Sequence, residues 1–85
     1  MFRTEREILD EYNKFCENEI KNAIDVTTDK KFENLLAICG GRNGIYNQSI
    51  NRLYGATMFA TQLGVNFDKL DELYYNFKNK LSASI

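Results

Sequence analysis

The chain has 85 residues, a net charge of −1 at pH 7, two cysteines, no histidine and no proline. One small domain of this kind gains stability from staples or from a partner. Cys16 and Cys39 without a Cys-x-x-Cys pair argue against a disulfide framework and a zinc site, no run approaches the roughly 18 apolar residues of a membrane span, and a pI near 5.4 argues against nonspecific nucleic-acid binding.

Oligomerisation is the remaining route to stability. Met1 to Leu9 is charged and lacks the apolar run of a signal peptide. The expectation is therefore a cytoplasmic protein with its thiols packed in the core, and no metal or cofactor. The charge is uneven along the chain. Residues 34–67 carry Arg42 and Arg52 and no carboxylate, whereas the first 33 residues carry more acids than bases.

Apolar positions recur at helical spacing throughout, which predicts an all-α fold. Four helices are expected near 4–24, 29–39, 45–63 and 67–81, as a small bundle with the third helix central. Thr4-Glu5-Arg6-Glu7 reads as a capping box that starts the first helix. Ile8, Leu9, Tyr12, Phe15, Cys16, Ile20, Ala23 and Ile24 form its inward stripe. Asp10, Lys14, Glu17 and Lys21 lie opposite, spaced for two acid-before-base pairs at i, i+4. Glu19 breaks the stripe and is expected at its edge or at a subunit contact.

Asp25 to Asp29 reads as a loop, with Thr28 or Asp29 capping a short second helix. Phe32, Leu35, Leu36, Ile38 and Cys39 are its expected buried face, and Gly40 its left-handed end. The third helix is expected to bury Tyr46, Ile50, Leu53, Ala56, Ala60 and Leu63 and to stop at Gly64. Ala56, Ala60 and Gly64, at i, i+4 spacing, leave room for another backbone. Asn47, Gln48, Asn51, Arg52, Gly55, Met58, Phe59 and Gln62 fall on its far side, with Tyr54 between the faces. Asn66 caps the last helix and Val65 staples onto Leu70. Phe67, Leu70, Leu73, Tyr74, Phe77 and Leu81 face inward, Lys78 and Lys80 suit the last turn, and Ser82 to Ile85 fray.

Three places invite function. Gly41, Arg42, Asn43 and Gly44 can present backbone N–H groups and a guanidinium to an anion ahead of a helix. They match neither a Walker loop nor a dinucleotide fingerprint, and a helix cap followed by a turn is the plainer reading. The same stretch can be laid on a helix-turn-helix template. Gly44 is then the turn glycine, Ile45 the buried residue after it, and Ile50 and Leu53 the anchors of a recognition helix. Tyr46, Asn47, Gln48, Asn51 and Arg52 would meet bases or phosphates. The fit is partial, because Gly40 and Gly41 would cost the preceding helix about 1 kcal/mol each and Asn43 fills a place that is normally apolar.

The third place is Met58, Phe59 and Gln62, an apolar patch edged by amides and Arg52, as at an oligomer interface. Catalysis has little to build on without histidine. The acidic pairs Glu7-x-x-Asp10 and Asp68-x-x-Asp71/Glu72 fall on faces turned to solvent. The sequence thus points to a non-enzymatic, self-associating module that binds a protein partner or a small anionic ligand such as a nucleotide through the glycine-rich stretch and helix three. The alternative is a helix-turn-helix DNA-binding protein.

Overall fold

Helical periodicity without proline leaves the backbone one way to satisfy its polar groups, and the chain takes it. The computed structural model describes residues 4–85. Met1 to Arg3, the start of the charged stretch weighed as a signal peptide, lie outside the described residues. Four α-helices follow in order: α1 Glu5–Thr28, α2 Glu33–Ile38, α3 Gly41–Gln62 and α4 Phe67–Ser84, with a short 3₁₀ turn at Lys30–Phe32 before α2. Helix α3 packs against each of the other three, as α1 also does, so α3 is central as expected but shares that place with α1. No helix among the described residues is long and apolar enough to cross a membrane.

The caps follow local chemistry. The Thr4 hydroxyl accepts from the Glu7 N–H at 3.2 Å and donates to the Glu7 carboxylate. The Asn66 side chain accepts from Asp68 N–H at 2.8 Å and starts α4. At the end of α3, Gly64 N–H donates to the Thr61 carbonyl and Val65 N–H to the Ala60 carbonyl, with Gly64 at φ +100. That is a Schellman closure, and the buried Val65 and Ala60 supply its apolar contact.

The core is a line of Ile8, Tyr12, Cys16, Ile20 and Ala23 from α1 against Ile45, Leu53 and Ala60 from α3, closed by Val65, Leu70 and Leu81. Tyr12 ties three helices together. Its hydroxyl meets the Thr57 hydroxyl at 2.7 Å, and its ring meets Phe77 of α4 edge-on at 6.2 Å. Tyr46 accepts a hydrogen bond from Ser82, joining α3 to the end of α4. Lys69 reaches Glu5 at 2.7 Å, joining the starts of α4 and α1.

Several expectations need correction. Helix α1 runs through the expected loop to Thr28. Its β-branched end is held because Thr27 donates back to Ala23 and Thr28 to Ile24, while Thr27 is buried and Val26 packs on the core. Neither Asp10–Lys14 nor Glu17–Lys21 closes into an ion pair. Helix α2 buries none of its residues, and Ile38 is 82% exposed. Six residues are too few turns to give a helix a full inward face, so only Leu36 and Cys39 of that segment reach the core. Phe32 lies under Lys31, whose Nζ stands 5.1 Å from the ring.

On α3 the buried line is Ile45, Ser49, Leu53, Thr57 and Ala60, with Tyr46, Ile50 and Ala56 on its flank and Leu63 exposed. The polar Ser49 and Thr57 occupy places where the apolar pattern is silent. Phe15 and Phe67 are exposed, not inward. Helix α4 stays helical to Ser84, beyond the expected fraying point, so Lys78 and Lys80 do not sit in its last turn.

Candidate functional site

The glycine cluster is a helix start and not a loop. Gly40 (φ +88) caps α3 and Gly41 (φ +75) is its first residue, so the reversal from α2 into α3 takes place at two left-handed glycines. Gly44 lies inside the first turn. A Cβ there would run into the Cys39 carbonyl, so the close approach of the two helices requires glycine. The helix-turn-helix register, with its turn at Gly44, is not the one the chain adopts. Asn47, Gln48, Asn51 and Arg52 are nevertheless all exposed, while Tyr46 is half-buried.

Arg42 and Asn43 are exposed in this first turn. Among the described residues Arg42 has no ion-pair partner and no side chain caps the α3 N–H groups. Arg52 stands apart from it, ten residues or about 15 Å further along the helix. It is not an unopposed cation. Glu19 of α1 reaches it at 3.2 Å, with the Glu19 side chain 15% exposed and Arg52 54%. The acid-free character of residues 34–67 therefore ends at the surface of α1, and the residue that broke the apolar stripe finds its partner within the chain.

A groove of about 550 Å³, almost wholly apolar, opens between α1 and α3. Ile8, Glu11, Tyr12 and Phe15 line it from α1, and Arg52, Gly55, Ala56, Phe59, Ala60 and Leu63 from α3 and its end. Phe59 is 62% exposed, Leu63 47% and Phe15 43%, so the rim is aromatic and aliphatic and open to solvent. Tyr12–Thr57 and Glu19–Arg52 show that α1 and α3 run antiparallel. Glu11 lies two helical turns before Glu19 on α1, so the groove carries Arg52 at one end and Glu11 toward the other.

Of the expected interface residues, Phe59 is on this groove. Met58 and Gln62 are exposed but do not line it. Phe15, Glu11 and Gly55 belong to the groove and were not singled out from the sequence. The available signal was Phe15 at the edge of the α1 stripe, one turn after Glu11 and one before Glu19.

A smaller groove of about 170 Å³ opens on the other side of Arg52, where Gln48, Ser49, Cys39 and Leu35 meet Glu19, Asn22 and Val26. Gly41 to Gly44, Asn47 and Asn51 line neither groove. The two thiols differ in setting. Cys39 is half-buried, whereas Cys16 is fully enclosed and burial pushes its thiol up to about 11, away from the nucleophilic form. Burial also holds the Tyr12 phenol well above its ordinary value, opposed by its bond to Thr57. No group of three or more acidic or cysteine side chains among the described residues is arranged to hold a metal ion.

Comparison with protein families, with curated proteins and with solved structures finds no match to this chain.

Proposed function

We propose that the protein is a small non-catalytic interaction module whose working surface is the α1–α3 groove. The observation that carries this reading is the groove itself, a 550 Å³ apolar trough with Phe15, Phe59 and Leu63 exposed along its rim. Apolar rings on the surface of a small domain, gathered in one concavity and bordered by charges, are the makeup of an interface with a buried centre and a polar edge. A trough between two helices fits the apolar face of a third, the helix-in-groove mode of recognition.

The test is an NMR titration with the apolar dye ANS. The amides of Phe15, Gly55, Phe59 and Leu63 should shift together, and Phe59→Glu should abolish the shifts while leaving the far-UV spectrum unchanged. Shifts confined to another surface, such as the exposed Tyr54 and Tyr75, would remove the groove as the working face.

A second reading concerns a small anion at the start of α3. It is favoured by the uncapped N–H groups there and by Arg42 without an ion-pair partner among the described residues. The DNA-binding alternative retains the exposed Asn47, Gln48, Asn51 and Arg52 as its readers, presented from one continuous helix.

A further inference from the structure

Gly55 is in the interior of α3, exposed, with no left-handed backbone angle, and a Cβ built on it would meet nothing within 4 Å. Glycine in a helix interior is destabilising relative to alanine. Nothing among the described residues offsets that at Gly55, in contrast to Gly40, Gly44 and Gly64, each of which the fold requires. One turn further on, Phe59 projects from the same rim. An uncovered stretch of helix backbone and a projecting aromatic ring thus stand side by side on one face.

We infer that the groove is occupied by a second copy of this chain, in a two-fold dimer whose α3 helices cross antiparallel, with Phe59 of each copy seated over Gly55 of the other. The inference rests on the groove being the working face and names its occupant. Self-complementarity of this kind is the signature of an isologous contact. A parallel pairing would set Phe59 against Phe59 and Arg52 against Arg52. The antiparallel one sets ring against glycine and keeps the two Arg52 guanidinium groups at opposite ends of the contact. Arg52, Gly55, Phe59 and Leu63 of the groove then form the seam, at the three- and four-residue steps of paired helices.

The decisive variants are Gly55→Ala and Phe59→Ala, compared with wild type by sedimentation velocity from low to high micromolar and by thermal melting at the lowest concentration. Gly55→Ala fills open space in the single chain but intrudes on the partner's ring. It should raise the melting temperature of the dilute protein and yet weaken dimerisation about tenfold or more. Phe59→Ala should weaken dimerisation by a similar factor with the dilute melt little changed. A wild-type chain that stays monomeric at high micromolar overturns the second copy as occupant, and dye binding in the groove would then keep the wider reading intact. Dimerisation lost in Phe59→Ala but unaffected or strengthened in Gly55→Ala overturns the antiparallel ring-over-glycine contact. A dimer that neither variant touches overturns the inference, and a dye that avoids the groove in the dilute, monomeric protein removes the wider reading with it.

Discussion

The Tyr12 and Thr57 hydroxyls meet 2.7 Å apart at the centre of the bundle, although 45 residues separate them in sequence. Thr57 also donates to the Leu53 carbonyl at 2.8 Å, so its proton is committed and Tyr12 is the donor between the two hydroxyls. The two ends of this bond are therefore not equivalent. Tyr12→Phe leaves Thr57 still bonded to its own helix and should cost about 1 kcal/mol. Thr57→Val leaves the buried phenol with only the weakly bonding Cys16 thiol and should cost about 1–3 kcal/mol. Urea unfolding of both variants and of the double variant checks the asymmetry. Equal losses would mean that Tyr12 is not the fixed donor of the pair.

Alkaline pH acts on the same cluster. Cys16 rises from 9.0 to about 11 through burial, and Tyr12 also moves upward. A group that holds its proton more tightly when folded contributes stability that is complete below its unfolded value and is lost as pH climbs toward the folded one. Unfolding free energy should accordingly be flat from pH 6 to 8 and then fall between 9.0 and about 11, the window of Cys16. The slope from one such group approaches about 1.4 kcal/mol per pH unit. Chemical denaturation across this range should show Cys16→Ala with a shallower fall than wild type. A Cys16→Ala profile parallel to wild type would mean that the thiol keeps its proton no more tightly in the fold.

The glycines at the α2–α3 junction should respond differently from Gly55. Gly44→Ala drives a methyl into the Cys39 carbonyl, a backbone atom that cannot swing aside. It should lower stability by more than about 2 kcal/mol, as overpacking with backbone displacement does. Gly40→Ala, strained by its positive φ but with ordinary space around it, should cost about 1 kcal/mol. A melting series of the two variants against wild type ranks them, and the reverse order would contradict the close approach at Gly44.

Arg42 tests the start of α3. Exposed and without an ion-pair partner among the described residues, it should change stability by less than about 0.5 kcal/mol when replaced by alanine. If the helix start holds an anion, the same change should cost about 1.5–3 kcal/mol of binding, the scale of a charged hydrogen bond. Calorimetric titration of inorganic phosphate and of a nucleoside triphosphate into both proteins reads this directly. Equal affinities, or no heat with wild type, would end the anion reading.

The all-helical architecture and the caps were legible in the sequence because they are local. Thr4, Gly40, Gly64 and Asn66 act on backbone groups within a few residues, so their chemistry can be read along the chain. The far side of α3 was legible too, since Asn47, Gln48, Asn51, Arg52, Gly55, Met58, Phe59 and Gln62 are all exposed as the spacing implied.

Tertiary structure decided what depends on a second element. Periodicity assigns a residue to a side of its own helix but not to a neighbour. It could not bring Phe15 of α1 to the groove that Phe59 borders, nor give Arg52 to Glu19. It also could not show that burial of Thr27 carries α1 to Thr28, or that six residues leave α2 with no buried side chain. Gly55 marks the boundary most sharply. In the sequence it is one polar-side position among eight. In the fold it is a helix-interior glycine whose missing side chain no described residue requires, because only three-dimensional packing shows where the chain itself needs a glycine.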